Sequence, residues 1–147
     1  QPLDLNPLLQ RLSEPWSDGA NSLQLQLHKT PCVIAADPQY LMMLINNLLS
    51  NAQRYAKGQI RISTRVLTDA VELSIEDNGP GIEPDHYQQV LKPFVRGQTD
   101  GLAGHGMGLA IVERIASWHK AQLILDKSQD LGGLRVRVRF TKDLAVT

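Results

Sequence analysis

Two segments near the middle of the chain alternate apolar with other residues, and this alternation restricts the possible folds more than any other feature. A period of two is typical of strands that bury one face. The segments cover residues 60–66 and 71–75, and LTDA at 67–70 predicts a turn between them. The residues that share a face are Ile60, Ile62, Thr64 and Val66 in one segment and Val71, Leu73 and Ile75 in the other.

Apolar residues at helical spacing predict three helices. The first has Asn6 as its cap and ends near Pro15, because Asn caps helices well and Pro interrupts them. The second spans residues 38–57 behind the capping Asp37, and the third spans residues 108–119.

Further strands complete the predicted sheet. They cover residues 22–29, 33–35, 123–126 and 134–140. Because the strands segregate from the helices, we expect an α+β domain. The predicted architecture is a two-layer α/β sandwich, in which a mixed, mostly antiparallel sheet of about five strands is covered on one face by three helices.

Composition indicates one globular domain and excludes several classes of protein. The chain has 147 residues, 42% of them hydrophobic, and a formal net charge of zero. We therefore expect one domain over 1–147 and no nucleic-acid partner. The sequence shows no signal peptide or membrane span, and it starts at Gln1, so we interpret it as a piece of a longer polypeptide.

The second predicted helix carries polar residues beside its apolar stripe. At about 100° per residue, Asn47, Asn51 and Arg54 fall within about 60° of one another. Asn is a poor helix former, so two of them four residues apart with a cation suggest a ligand face. Tyr55 follows directly.

A second polar group ends the middle strand pair in SIEDNGPGI. Asp77 continues the inward parity of that strand, and a buried carboxylate needs a hydrogen-bond donor. Because no cation is placed nearby by the sequence, an external donor fits, although a simple turn explains Asp77 equally well. Gly79 and Gly81 would allow the backbone to approach a ligand closely.

A glycine-rich stretch, GHGMGLAIV, leads into the third predicted helix. Glycines before a helix N-terminus are typical of anion sites, since free N–H groups and the helix dipole both attract negative charge. The preceding residues 83–103 lack clear periodicity, and we interpret them as a lid or binding loop.

Taken in order, these motifs resemble a known family. NNLLSNAQRYA, DNGPGI, PFVRG and GHGMGLAI resemble the N, G1, F and G2 boxes of the catalytic ATP-binding domain of two-component sensor histidine kinases. The resemblance is strongest to the EnvZ-like branch and covers essentially the whole chain. It places the domain in the superfamily shared with gyrase, MutL and a heat-shock chaperone, which implies a Bergerat fold, ATP and Mg²⁺ as cofactors, and residues 83–103 as an ATP lid.

The resemblance implies the following roles around the phosphates and the metal. Asn51 would give its carboxamide oxygen to Mg²⁺, and Asn47 would lie near the metal and phosphates. Arg54 and Arg96 would compensate phosphate charge, so the implied catalytic residues are Asn47, Arg54 and Arg96. The remaining residues implied near the phosphates are Gly104, His105, Gly106, Met107, Gly108 and Leu109.

The resemblance also implies an adenine site. Asp77 would accept a hydrogen bond from the adenine amino group, Tyr55 would flank the nucleotide, and Gly79 and Gly81 would permit close approach. Phe94 would anchor the lid.

Two residues of the last box depart from the usual family pattern. His105 replaces a small residue, and either donates to a phosphate or points to solvent. Met107 replaces a common Leu, and this exchange conserves volume.

The resemblance favours a kinase over a hydrolase. Related ATPases usually place Glu at position 47 to activate water, and the amide of Asn47 is no general base. The sequence leaves Glu76 and Glu113 open as substitutes. Alternatives are a nucleotide-sensing regulatory module, an ATPase of the same superfamily, and a serine kinase of the anti-sigma type.

The resemblance implies partners outside this chain. None of the four histidines has the phosphoacceptor signature, so the dimerisation and phosphoacceptor domain would lie upstream; the histidines are His28, His86, His105 and His119. We expect a monomeric fragment of a homodimeric sensor that lies on the cytoplasmic side of an inner membrane. A response regulator would receive the phosphoryl group.

Overall fold

The computed structural model describes residues 1–17, 19, 21–91 and 108–141. Its strands are β1 (Pro2–Asp4), β2 (Ser22–Gln26), β3 (Val33–Ala35), β4 (Gln59–Val66), β5 (Ala70–Asp77), β6 (Gln122–Lys127) and β7 (Leu134–Thr141). Its helices are α1 (Leu5–Ser13), α2 (Pro38–Tyr55), α3 (Tyr87–Val90) and α4 (Gly108–Trp118), with 3₁₀ turns at Glu14–Trp16 and Pro84–His86.

The main sheet confirms the predicted fold class. It has five strands in the order β2-β4-β5-β7-β6, and only the β2–β4 pair is parallel. The predicted hairpin pairs Ile62 with Ile75, and it closes through a hydrogen bond of 2.8 Å from the Leu67 N–H to the Ala70 carbonyl. Alternation therefore aims one set of side chains at the helices and the other set away from them.

The inner face of the sheet and the helices share one hydrophobic core. Leu41, Leu73, Leu109, Val138 and Phe140 are at most 2% exposed and lie in this core. The sandwich positions β5 and α2 against each other, so that the polar end of β5 lies beside the C-terminal half of α2. None of the described helices has the length and apolar character that a membrane span needs.

The N-terminal segment differs from the prediction. Residues 2–4 form a strand that pairs with β3 in a separate two-stranded sheet. The cap of α1 is Asp4, whose Oδ1 accepts from the Asn6 N–H at 3.2 Å and the Cys32 N–H at 3.0 Å. Asn6 instead donates from its side chain to the His28 carbonyl at 2.9 Å. Both residue types cap helices well, and the contact with Cys32 that favours Asp4 is long-range.

Two further boundaries differ from the prediction. Asp37 caps α2 as expected, but the helix ends at Tyr55, because Ala56 is extended with φ −63° and ψ 151°. Gly58, with φ +117°, lies after this end. In the segment predicted to be a lid, residues 84–90 form helical turns, and Val90 is only 1% exposed. The rest of that segment, from residue 92, lies outside the described residues.

Candidate nucleotide-binding site

The C-terminal half of α2 presents both predicted amides beside the start of α4. Asn51 is 8% exposed, and Asn47 is half-buried. The Asn47 side-chain nitrogen donates to the Met43 carbonyl at 2.7 Å, and no donor among the described residues engages its Oδ1. A Cβ added at Gly108 would lie 4.0 Å from Oδ1 of both Asn47 and Asn51. Residues from two separate motifs therefore converge on one small space.

The space at Gly108 suits an anion with a cation. Gly108 begins the 11-residue helix α4, where unpaired N–H groups and the helix dipole favour negative charge. Amide oxygens are ligands that Mg²⁺ accepts. Within the described ranges, no cluster of three or more His, Cys, Asp or Glu side chains suits a metal.

The buried end of β5 forms a second cluster around Asp77. Asp77 is 4% exposed, and its Oδ1 accepts from the Gly79 N–H at 2.8 Å and the Leu134 N–H at 3.4 Å. Both hydrogen bonds reach the same oxygen, so Oδ2 takes part in neither of them. Burial raises the pKa of Asp77, and the two N–H donors only partly oppose this shift.

Close backbone contacts join this cluster to α2 and β7. A Cβ added at Gly79 would overlap with the Tyr55 carbonyl oxygen. A Cβ at Gly133 would overlap with Oδ1 of Asp77 and lie 2.5 Å from the Asp77 carbonyl oxygen. Gly81 has φ +74° and meets Gly133. Glycine is therefore required where three chain segments meet.

Asn78 and Gly133 are positioning residues that the sequence analysis missed. The Asn78 side-chain oxygen accepts from the Lys57 N–H at 2.7 Å and the Gln59 N–H at 3.1 Å. Its nitrogen donates to the Lys57 carbonyl at 3.1 Å, so Asn78 ties the end of β5 to the end of α2. Asn78 lies within the DNGPGI motif, which is the signal that could have identified it. Gly133 lies in a predicted turn, and nothing local in the sequence indicates its contact with Asp77, because that contact is long-range.

The two clusters lie along the same helix. Tyr55 is at the Asp77 end, and Asn51 and Asn47 follow about 6 and 12 Å towards the N-terminus of α2. Arg54 is exposed beside them, and Tyr55 is half-buried. An elongated ligand could therefore contact the carboxylate at one end and the amides at the other.

Other predicted residues stand apart from these clusters or are not described. The Leu109 side chain is 0% exposed in the core, so only its backbone could face a ligand. Residues of the F box and most of the last box lie outside the described ranges: Phe94, Arg96, Gly104, His105, Gly106 and Met107.

Glu76 is held away from the amides. It lies on the outer face of β5, one residue before Asp77, and is bound by Arg61 at 3.0 Å and Ser128 at 2.9 Å. Glu113 is five residues after Gly108, which places it about 140° around α4 from that glycine. Neither carboxylate is therefore placed like a base at position 47.

Solved structures share this fold. The chain superposes on the histidine kinase domain of the Escherichia coli osmosensor EnvZ with a TM-score of 0.75 and 30% identity, covering 98% of this chain and 89% of that one. It superposes on the ATP-binding domain of PrrB from Mycobacterium tuberculosis with a TM-score of 0.77 and 26% identity, covering 97% and 96% of the two chains. The fold is thus that of a catalytic, ATP-binding domain of sensor kinases.

Residues 36–144 match the family described as histidine kinase-, DNA gyrase B-, and HSP90-like ATPase, and the chain belongs to this family. It is 32% identical over 143 residues to the sensor-type histidine kinase PrrB of Mycobacterium leprae, covering 95% of this chain and 32% of that protein. It is 33% identical over 138 residues to the sensor protein BasS of Escherichia coli, covering 93% of this chain and 38% of that protein. The chain spans about a third of the length of these relatives.

Two site glycines should respond differently to alanine. Gly133→Ala should lower the free energy of unfolding by about 1–3 kcal/mol, because its methyl group overlaps with Asp77. Gly108→Ala is the control, since its methyl group would lie no closer than 3.9 Å to any atom of the described residues outside α4, and α4 favours alanine. Chemical denaturation would measure the free energy of unfolding of both variants. Equal values for Gly133→Ala and Gly108→Ala would contradict the close packing at Gly133.

Because the pKa of Asp77 is raised, the contribution of this residue to the free energy of unfolding depends on pH. The folded state binds this proton more readily than the unfolded state, so wild-type stability falls as pH rises through the folded pKa of Asp77. Asp77→Asn lacks this titration and keeps an oxygen for the two N–H donors. The free energy of unfolding of the variant relative to wild type should therefore increase from acidic to neutral pH. Denaturation curves of both proteins across this pH range would measure the difference in the free energy of unfolding. A difference that stays constant, or that becomes smaller as the pH rises, would contradict this expectation.

Proposed function

We propose that this chain binds Mg·ATP and transfers the γ-phosphate to a histidine on the phosphoacceptor domain of a sensor kinase, in two-component signal transduction. The observation that carries the proposal is the convergence of the Asn47 and Asn51 oxygens at Gly108, where α4 begins. A response regulator would then receive the phosphoryl group. The kinase names of several relatives support the reaction, and the site geometry supports its cofactors.

The adenine base belongs at the Asp77 end of the site. Oδ1 is engaged by the Gly79 and Leu134 N–H groups, which leaves Oδ2 to accept from the exocyclic amino group of adenine. The Gly79 backbone packs against the Tyr55 carbonyl and donates to the same carboxylate, so it lies beside that position without a side chain in the way. A guanine base offers a carbonyl in place of the amino group, so Asp77 would select adenine over guanine.

The phosphates and Mg²⁺ belong at the Gly108 end. The Oδ1 atoms of Asn47 and Asn51 both lie near Gly108, and oxygens are the ligands that a hard cation prefers. When bound, Mg²⁺ would neutralise charge on the phosphate oxygens. Asn51 would hold the ion, Asn47 would lie beside it, and the start of α4 would hold phosphate oxygens. Arg54 and Arg96 would add positive charge from the same helix face and from the lid.

Transfer to an imidazole suits this site better than hydrolysis. An amide at position 47 cannot take a proton from water. Glu76 is engaged by Arg61 and Ser128 on the other face of the sheet, so it cannot replace a base there. An imidazole nucleophile, in contrast, needs little activation, and positioning is the main task left to the protein.

The metal role of Asn51 is tested by calorimetry with and without Mg²⁺. Asn51→Ala should weaken ATP binding in Mg²⁺ by about 1.5–3 kcal/mol, the range for interactions with charged groups, and should change binding without Mg²⁺ much less. Asn46→Ala is the matched control, because Asn46 is an exposed residue of the same helix, about 100° around from Asn47. An Mg²⁺ effect that survives Asn51→Ala would exclude Asn51 as the ligand.

The reaction is tested by mixing this chain, radiolabelled ATP and the phosphoacceptor domain of its parent kinase, with each component omitted in turn. We expect acid-labile label on the acceptor domain and none on this chain. Labelling should be slow, since the effective concentration that a covalent linkage provides, of the order of millimolar, is lost. Acid-stable label on this chain, or rapid phosphate release without the acceptor, would contradict the proposed function.

A further inference from the structure

Three exposed apolar side chains form a patch between the start of α2 and the end of α4. Tyr40, Met43 and Trp118 are 41%, 49% and 58% exposed. Among the described residues, only one other large hydrophobic side chain is exposed, Leu25 on the edge strand β2. We call Tyr40, Met43 and Trp118 the aromatic platform. Clustered exposed apolar residues of this kind mark interaction surfaces more often than isolated ones do.

Local contacts hold the aromatic platform in place. The rings of Tyr40 and Trp118 meet edge to face, with centroids 5.1 Å apart and an interplanar angle of 78°. Nε2 of His119 accepts from the Asp37 N–H at 3.2 Å, so Nδ1 carries the proton that it donates to the Ile115 carbonyl at 2.8 Å. His119 thereby ties the end of α4 to the cap of α2. A preformed surface of this kind loses little entropy on binding.

The platform lies on the ligand face of α2. At about 100° per residue, Tyr40, Met43, Asn47, Asn51 and Arg54 fall within about 80° of one another. Tyr40 is about 10 Å along the helix from Asn47, on the side away from Asp77. The order along this face is therefore the proposed adenine site, then the proposed phosphate site, then the platform.

This order indicates the direction from which a phosphoacceptor approaches. In phosphoryl transfer the attacking and leaving atoms lie roughly in line with the transferred phosphorus. An ATP whose base is at Asp77 and whose phosphates are at Asn51 and Asn47 points its terminal phosphate along α2 towards Met43. The nucleophile must therefore arrive from the platform side, and the domain that carries it must cover the surface there.

We propose that the aromatic platform is the docking surface for a helix of the phosphoacceptor domain, with that helix presenting an apolar face next to its phosphoacceptor histidine. This inference rests on the proposed function, because the function sets the direction of the triphosphate. An apolar helix face seated on exposed aromatic and Met side chains is a common mode of recognition. Trp118 is the central anchor, since Trp residues dominate binding energy at such surfaces.

Substitutions in the aromatic platform should raise the KM for the acceptor domain and leave the affinity for ATP unchanged. Trp118→Gln and Met43→Gln each remove an exposed apolar side chain while keeping a good helix former. Leu25→Gln is the matched control on β2. In the labelling reaction, Trp118→Gln should raise the KM for the acceptor domain about tenfold, as expected for a binding hot spot, with the affinity for ATP unchanged. Leu25→Gln should leave both quantities unchanged.

A binding measurement that needs no catalysis separates this inference from the proposed function. The only native cysteine, Cys32, is 0% exposed, so Met43→Cys and Leu25→Cys each introduce a single accessible thiol for a fluorophore. Adding the acceptor domain should change the signal at position 43 and not at position 25. If the wild type labels no acceptor while this signal changes, the proposed function fails and the docking surface stands.

Two results would overturn the inference. The first is an unchanged KM for the acceptor in both platform variants together with no signal change at position 43. The second is self-association of this chain, seen by sedimentation and abolished by Trp118→Gln, with normal acceptor labelling; the occupant would then be a second copy of this chain.

Discussion

The junction of α2, β5 and β7 at Asp77 sets the geometry of the whole site. The backbone at Gly79 contacts the Tyr55 carbonyl, and Gly133 contacts both the carboxylate and the main chain of Asp77. The Gly133 N–H also donates to the Asp77 carbonyl at 3.0 Å. These contacts leave no room for side chains, so they fix where the sheet ends relative to the helix. The buried carboxylate is destabilising by itself, and N–H donors from two neighbouring segments hold it there.

The outer face of the sheet explains why one layer of helices is enough. Glu72 on β5 is 4% exposed, yet it is bound by Arg65 at 3.0 Å and Arg139 at 2.7 Å, with Arg137 at 3.8 Å. The guanidinium groups of these arginines pair with the carboxylate, and their long apolar stems cover the surface of the sheet around it. This face therefore needs no second helical layer, and the inner face alone carries the core and the site.

The antiparallel packing of α2 and α4 builds the rest of the site. The start of α4 lies beside Asn47 and Asn51, while its end meets Tyr40 and is tied by His119 to the cap of α2. One helix pair thus presents a polar ligand space at one end and an apolar surface at the other. This arrangement couples the proposed phosphate site to the proposed docking surface through about 10 Å of rigid helix.

The sequence by itself determined the local features of this protein. Alternation predicted the β4–β5 hairpin with Asp77 pointing inward, because side-chain direction in a strand follows parity. Helical spacing placed Asn47 and Asn51 on one face of α2, and their motif indicated the family. These features depend on residues within a few positions of one another.

The tertiary structure alone decided which residues meet across the chain. It chose Asp4 over Asn6 as the cap of α1 through the contact with Cys32, and it paired residues 2–4 with β3. It brought Gly133 against Asp77 and Trp118 against Tyr40. Each of these contacts joins segments far apart in sequence, and long-range packing, unlike strand parity or helical spacing, leaves no periodic signal in a single sequence.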